Sequence, residues 1–157
     1  MMRFFARLFG RGEPAFTEAR IADSAAIATI HAASFQRGWG EDEITGLLRE
    51  RNVIAHRVTS GRKLIGFILS RLAAGEAEIL SVAIVPAWRG QSLARPLLDL
   101  HLRRLAGLGV RTVFLEVDSN NAPARALYKR AGFFEVGQRQ GYYQSVAAAL
   151  VLRRNLG

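Results

Sequence analysis

The sequence predicts one α/β (α+β) domain, and three observations carry that expectation. Segments rich in β-branched and apolar residues alternate along the chain with segments whose apolar residues recur every three or four positions, the periods of strand and amphipathic helix. Half of the 157 residues are hydrophobic, yet no apolar run approaches the ~20 residues that cross a bilayer, so no membrane span is expected. At residues 82–98, VAIVPAWRGQSLARPLL, an apolar strand breaks at Pro86 and reopens as a helix, the joint of a mixed fold.

Taken in order, residues 1–14 (MMRFFARLFGRGEP) form a basic amphipathic N-terminal arm, with Arg3, Arg7 and Arg11 four apart and Phe4, Phe5, Leu8 and Phe9 on other faces. Residues 15–157 are a single domain. A short strand is expected around residues 16–18, then Asp23 as N-cap of a helix that buries Ile27, Ile30 and Ala33. Residues 34–40 (SFQRGWG) read as a loop, and residues 41–51 as a helix with three acids in its first turn, burying Ile44, Leu47 and Leu48. Residues 54–59 and 63–72 are strands joined through Ser60, Gly61 and Arg62, a hairpin, and residues 76–85 are the next strand. The helix at 94–108 carries Pro96 near its start, where a missing N–H is harmless, and Gly107 and Gly109 near its end. Residues 112–117 (TVFLEV) are a buried strand, and residues 121–131 a helix with a stripe of Ala124, Leu127, Tyr128 and Ala131. Strands near 134–137 and 148–153 complete the domain.

The absence of cysteine excludes disulfides, thiolate nucleophiles and cysteine-ligated metal, and fits a reducing, cytoplasmic compartment. The three histidines, at 31, 56 and 101, are scattered in sequence and predict no metal site. The net charge of +9 is uneven: 11 Lys/Arg stand against 9 Asp/Glu up to residue 85, and 11 against 4 thereafter. A polyanionic nucleotide ligand, an RNA or ribosome surface, or an Arg-rich solvated surface would each account for the basic half.

That basic half contains the joint. Arg89, Gly90, Gln91, Ser92, Leu93, Ala94 and Arg95 supply little bulk, fixed cations and a run of backbone N–H groups entering a helix. Such an end attracts phosphate, because its first N–H groups lack intrahelical partners and the helix dipole adds positive charge; an ordinary connection is the alternative. Glu116 interrupts an otherwise apolar strand, either at a strand end facing water or in a cleft. Burial there would favour a useful base, and Tyr128 on the next helix would bring a phenol to an apolar wall; a surface Glu and a core Tyr are the plainer readings.

These residues resemble the GNAT superfamily of acetyl-CoA-dependent N-acetyltransferases, and within it the RimI-like enzymes that acetylate protein N-termini such as ribosomal-protein alanine. RGQSLA, residues 89–94, matches the cradle Arg/Gln-x-x-Gly-x-Gly/Ala with Ser92 where Gly is usual. The run 115–143, LEVDSNNAPARALYKRAGFFEVGQRQGYY, is similar to the RimI signature. Val85 stands before Pro86 where many relatives carry Asp, and after Tyr143 the chain QSVAAALVL is short and uncharged where relatives have a longer loop with acidic residues.

The resemblance implies a GNAT fold, a mixed, mostly antiparallel sheet flanked by helices, with acetyl-CoA as co-substrate in the splay between the fourth and fifth strands, and no metal. It implies that the backbone of Val82, Ala83 and Ile84 pairs with the pantetheine arm, one N–H there polarising the thioester. Amides from Arg89 through Arg95 would hold the pyrophosphate, and Asn121 the pantetheine, or it simply caps its helix. Glu116 would be general base and Tyr128 general acid, with Trp39, Tyr142 and Tyr143 lining the acceptor groove. The implied reaction is direct attack by a protein N-terminal α-amine in a ternary complex, the protein being a monomer or weak dimer. Two other readings stay open: transfer to a lysine or small amine, and a non-catalytic domain that binds acyl-CoA or RNA.

Overall fold

The structure is a computed structural model that describes residues 12–35, 37–139 and 148–157. Its strands are β1 (Pro14–Glu18), β2 (Val53–Ser60), β3 (Lys63–Ala73), β4 (Glu76–Ile84), β5 (Thr112–Asp118), β6 (Phe134–Arg139) and β7 (Ala149–Asn155). The helices are α1 (Ser24–Ser34), α2 (Glu41–Arg49), α3 (Ala94–Gly107) and α4 (Ala122–Arg130). The strands make one sheet in the order β1-β2-β3-β4-β5-β7-β6, antiparallel throughout except between β4 and β5. This is the mixed α/β domain that the sequence predicts, with the mostly antiparallel sheet that the resemblance implies.

The sheet is the middle layer of three. On one face Ile27 and Ile30 of α1 and Ile44 of α2 pack on Ala55, Phe67 and Leu69. On the other, Leu97, Leu98, Leu102 and Leu105 of α3 and Tyr128 of α4 pack on Ile68, Ile79, Val113 and Leu115. Burying each such leucine contributes roughly 2 kcal/mol, so the α3 stripe is a principal fastening of that layer. Because β3 is covered on both faces, seven of its residues in succession, from Leu64 to Ser70, are buried.

Local chemistry explains where elements begin. Asp23 precedes α1 as expected, but its carboxylate does not cap that helix: Oδ2 accepts from the Arg20 N–H at 2.7 Å and Oδ1 from Arg57 Nη1 at 2.7 Å. It thus closes the single 3₁₀ turn at Ile21–Asp23 and ties it to β2. The expected stripe of α1 is corrected at Ala33, which is exposed, while His31 turns inward. Residues 27, 30 and 31 share one helical face and residue 33 falls off it. The second helix ends at Arg49, two residues earlier than expected. Residues 1–11 of the expected arm lie outside the described residues; the Gly12 carbonyl already accepts from Ser60 Oγ at 2.7 Å, and Pro14 pairs with Ser60 in the sheet.

One irregularity positions the site. β4 and β5 pair only over Glu76 to Ile79 and Thr112 to Leu115. At that level the β3–β4 register shifts, Ser70 facing Ile79 and Leu69 facing Ser81, so that Leu80 is unmatched. A bulge of this kind bends its strand. Beyond it β4 continues on β3, one edge of residues 80–84 has no strand partner among the described residues, and β4 and β5 part.

Candidate active site

A cleft of about 710 Å³ occupies the place where the strands part. β4 lines it with Leu80, Ser81 and Val82, and β5 with Glu116, Val117 and Asp118. The end of α1 adds Ser34 and Phe35, and α4 with its approach adds Asn121, Ala124 and Tyr128.

Glu116 and Tyr128 meet this cleft from opposite sides of the sheet. Along β5, Val113, Leu115 and Val117 face the α3–α4 layer that holds Tyr128, so the strand alternation sends Glu116 to the face that carries α1. Between the two sequence readings of Glu116, strand end facing water or cleft, the structure combines both: the carboxylate lines the cleft and its side chain is 38 % exposed. It is therefore not buried, and Oε2 accepts from Arg139 Nη2 at 2.9 Å. Tyr128 is 6 % exposed, its ring edge-on to Phe133 at 5.7 Å between centroids, and burial pushes its phenol up to about 12.

The cradle lies beyond the end of β4, outside the lining of the cleft. Gly90 and Ser92 both adopt left-handed backbone, φ +77 and +59. Ser92 thus holds the conformation that glycine adopts without strain, at about 1–2 kcal/mol for a residue with a Cβ. Leu93 precedes α3 without a side-chain cap, and no acid occupies the first turn, so the helix start offers its backbone N–H groups uncompensated. Arg89 folds back, Nε donating to the Ile84 carbonyl at 2.9 Å, which braces the turn against the end of β4. Arg95 pairs with Asp99 within α3 at 3.0 Å. Of the three strand residues, Val82 lines the cleft, whereas the side chains of Ala83 and Ile84 are buried in opposite core layers and only their backbone lies along the open edge.

Asn121 caps α4, its Oδ1 accepting from the Ala124 N–H at 3.2 Å, and also lines the cleft. Trp39 does not reach the cleft lining. Its ring stacks on His31 at 4.3 Å and its backbone N–H donates to His31 Nδ1 at 2.9 Å, which fastens the loop to α1. Tyr142 and Tyr143 lie outside the described residues. Phe35 of that same loop, 40 % exposed, forms the wall instead.

Sequence reasoning missed three contributors. Arg139 stands 23 residues from Glu116, across β7, and no local pattern links them. Ser34 and Ser81 have buried hydroxyl oxygens with no hydrogen-bond partner among the described residues, and both line the cleft. An orphaned buried hydroxyl beside a cavity calls for a partner, which a water or a polar ligand atom in the cleft would supply. The histidines, scattered in sequence, are not all apart in space: His56 Nδ1 and His101 Nδ1 are 2.8 Å apart, and His101 Nε2 lies 2.6 Å from Ser70 Oγ. These three side chains are buried between α3 and β2–β3, none of them lines the cleft, and among the described residues no three His, Cys, Asp or Glu side chains converge.

Comparison with known proteins places these features in a family. Residues 22–133 match the Acetyltransferase (GNAT) family. Over 105 residues the chain is 33 % identical to the [ribosomal protein bS18]-alanine N-acetyltransferase of Escherichia coli K12, covering 67 % of this chain and 70 % of that protein. The crystal structure of the Escherichia coli ribosomal-protein-S18-alanine N-acetyltransferase superposes with TM-score 0.86 at 25 % identity, over 92 % of this chain and 95 % of that one. Arabidopsis thaliana NAA60 in complex with acetyl-CoA shares the fold, with TM-score 0.83 at 18 % identity over 92 % and 99 % of the two chains.

Proposed function

The chain belongs to the GNAT acetyltransferase family and is an N-acetyltransferase, and on that premise we propose that it transfers the acetyl group of acetyl-CoA to a protein N-terminal α-amine by direct attack. The observation that carries this reading is the cleft between β4 and β5, lined from opposite faces of the sheet by Glu116 and Tyr128. A thioester entering from the α3 side and an amine entering from the α1 side would meet there, with a carboxylate on the amine side and a phenol on the thiolate side.

Each residue then has a task set by its chemistry. The unpaired edge of residues 80–84 offers backbone donors to the amide groups of the pantetheine arm and to the thioester carbonyl, whose oxygen gains charge as the bond to nitrogen forms. The uncompensated start of α3, behind Gly90 and Ser92, is where phosphates would sit. Glu116 takes the proton that the amine must lose, directly or through water. Tyr128 cannot serve efficiently as a free proton source: a phenol at about 12 facing a thiol near 8.5 is uphill by roughly 5 kcal/mol. Its hydroxyl instead donates a hydrogen bond to the departing thiolate, and solvent supplies the proton.

Amine chemistry favours an N-terminus over a lysine. An α-amino group with pKa about 7.8 is roughly one-seventh neutral at pH 7, while lysine near 10.4 lies ~3.5 kcal/mol further from reactivity. An exposed, ion-paired carboxylate such as Glu116 suffices for the first and is a weak device for the second. The acceptor named for the Escherichia coli relative, an alanine of ribosomal protein bS18, makes a small first residue on a ribosomal protein the class to test first, and such an acceptor would place the reaction in the cytoplasm.

The test is incubation of the protein with acetyl-CoA and a library of peptides that present free N-termini or internal lysines, read by mass spectrometry. Acetyl groups on N-terminal residues are expected. Lysine-only modification would move the acceptor to the side-chain class, and no modification of any peptide, with acetyl-CoA bound, would leave a binding domain.

A further inference from the structure

We propose that the hydroxyls of Ser81 and Ser34 form the subsite that grips the acceptor's first residue, orienting its α-amine against the thioester. Ser81 is 6 % exposed, and both oxygens are buried without a hydrogen-bond partner among the described residues while lining the cleft. An oxygen left so in a folded protein forfeits the hydrogen bonds it had in water, and a polar ligand atom that displaces water from the cleft would restore them.

The position of the pair selects which ligand. Ser81 faces Leu69 across the β3–β4 ladder, and Leu69 belongs to the core layer beneath α1 and α2. Ser34 is the last residue of α1. Both hydroxyls therefore stand on the α1 side of the sheet, the side to which β5 sends Glu116, and away from the α3 helix start that offers donors to phosphates. A primary amine that attacks a carbonyl must aim its lone pair and leave its remaining N–H groups to acceptors. One hydroxyl oxygen accepts such an N–H while Glu116 takes the leaving proton. The second hydroxyl donates to the carbonyl of the acceptor's first residue, a group that an N-terminal residue carries close to its amine and a lysine side chain lacks. Leu80 and Phe35, which adjoin the two serines in sequence, add apolar lining to the same cleft.

This inference rests on the N-terminal acceptor reading above, and the experiment separates the two. Wild-type protein is first assayed on an Ala-initiated peptide: no N-terminal acetylation removes the reading, and the subsite with it. With wild-type activity in hand, Ser81→Ala and Ser34→Ala are compared by kcat/KM for the peptide, by calorimetric affinity for acetyl-CoA and by thermal melting. The expected result is a five- to tenfold loss of kcat/KM, about the worth of one hydrogen bond, with acetyl-CoA affinity unchanged. The melting temperature should stay level or rise, because an unsatisfied hydroxyl has been removed. Ser81→Thr, which keeps the hydroxyl, should retain more activity than Ser81→Ala. Weakened acetyl-CoA binding would assign the hydroxyls to the co-substrate instead. A lower melting temperature with unaltered kinetics would make them structural. Either result overturns the proposal.

Discussion

Arg139, on β6, reaches over β7 to place Nη2 2.9 Å from Oε2 of Glu116 on β5, so one carboxylate oxygen is engaged while the other is left for the cleft. A lone carboxylate beside an incoming ammonium would hold it as a salt bridge and keep the amine protonated. Pairing with Arg139 offsets part of that attraction. With the two side chains 61 % and 38 % exposed, the pair is worth no more than about 1 kcal/mol.

Replacing Arg139 by Gln should therefore change peptide kinetics modestly and in a particular pattern. The KM for peptide falls and kcat at pH 7 falls by up to about fivefold, with the loss greatest on the acid side, where more of the amine is protonated. Arg139→Lys, which keeps the charge, should restore kcat on the acid side. A uniform loss of kcat at every pH would instead mark Arg139 as a scaffold for the β6 edge.

The two candidate catalytic groups should separate by pH. Glu116→Gln is expected to lower kcat/KM by about 10²-fold or more at pH 7, with the defect shrinking above pH ~8 as the amine loses its proton unaided. Tyr128→Phe should lower turnover by about 10²-fold at every pH between 6 and 9, with acetyl-CoA affinity nearly unchanged, since the hydroxyl is needed chiefly in the transition state. Full turnover in Tyr128→Phe would return that side chain to the core.

Ser92 tests the cradle. Its φ of +59 is one that glycine adopts freely, so Ser92→Gly removes strain while adding chain entropy to the unfolded state, and the two nearly cancel within about 1 kcal/mol. Melting alone should thus change little, and acetyl-CoA should bind at least as tightly. Millimolar acetyl-CoA should raise the melting temperature of wild type, and Ser92→Glu, placing negative charge at the helix start, should abolish that rise. Persistence of that rise would mean the phosphates sit elsewhere.

The buried histidine chain makes stability depend on pH. Burial holds His101 down to about 3 and also lowers His56 below its usual 6.5. Both are neutral in the folded protein and take up protons on unfolding, so their stabilisation is complete above pH 6.5 and is lost as pH falls towards 3. For His101 alone the loss between pH 7.5 and 5 is ~2 kcal/mol, which urea midpoints at the two pH values would read. His101→Gln should flatten that dependence, and an unaltered slope in the variant would place its source elsewhere.

Gly66 tests how tightly β3 and β4 are packed behind the open edge. A Cβ there would lie 2.5 Å from Ile84 Cδ1, 2.8 Å from Val58 Cγ1 and 3.0 Å from the Ala83 carbonyl oxygen. Gly66→Ala should destabilise by ~1–3 kcal/mol and, by displacing residues 83 and 84, weaken acetyl-CoA binding as well. Equal melting temperatures in variant and wild type would show that the strand yields without loss.

Much of the fold is legible in the amino-acid sequence because its signals are local. Period-two and period-3.6 patterns locate the strands and helices, Pro96 and the glycines mark helix ends, and the run 89–94 announces the turn whose positive φ at Ser92 the structure displays. Glu116 and Tyr128 stand out for the same reason, a carboxylate in an apolar strand and a phenol on an apolar stripe. Ala33 and His31 are harder to tell apart because the stripe of α1 is short, and a single residue step turns a side chain from core to solvent. Tertiary structure alone decides the rest. The bulge at Leu80 depends on how β4 is matched to β3, and it is what parts β4 from β5 and opens the cleft. Trp39 is drawn onto His31, Arg139 onto Glu116 and His56 onto His101 by partners 8, 23 and 45 residues away. Such pairings are set by which strands neighbour one another and how much surface each layer buries, and these are properties of the assembled sheet that no window of sequence contains.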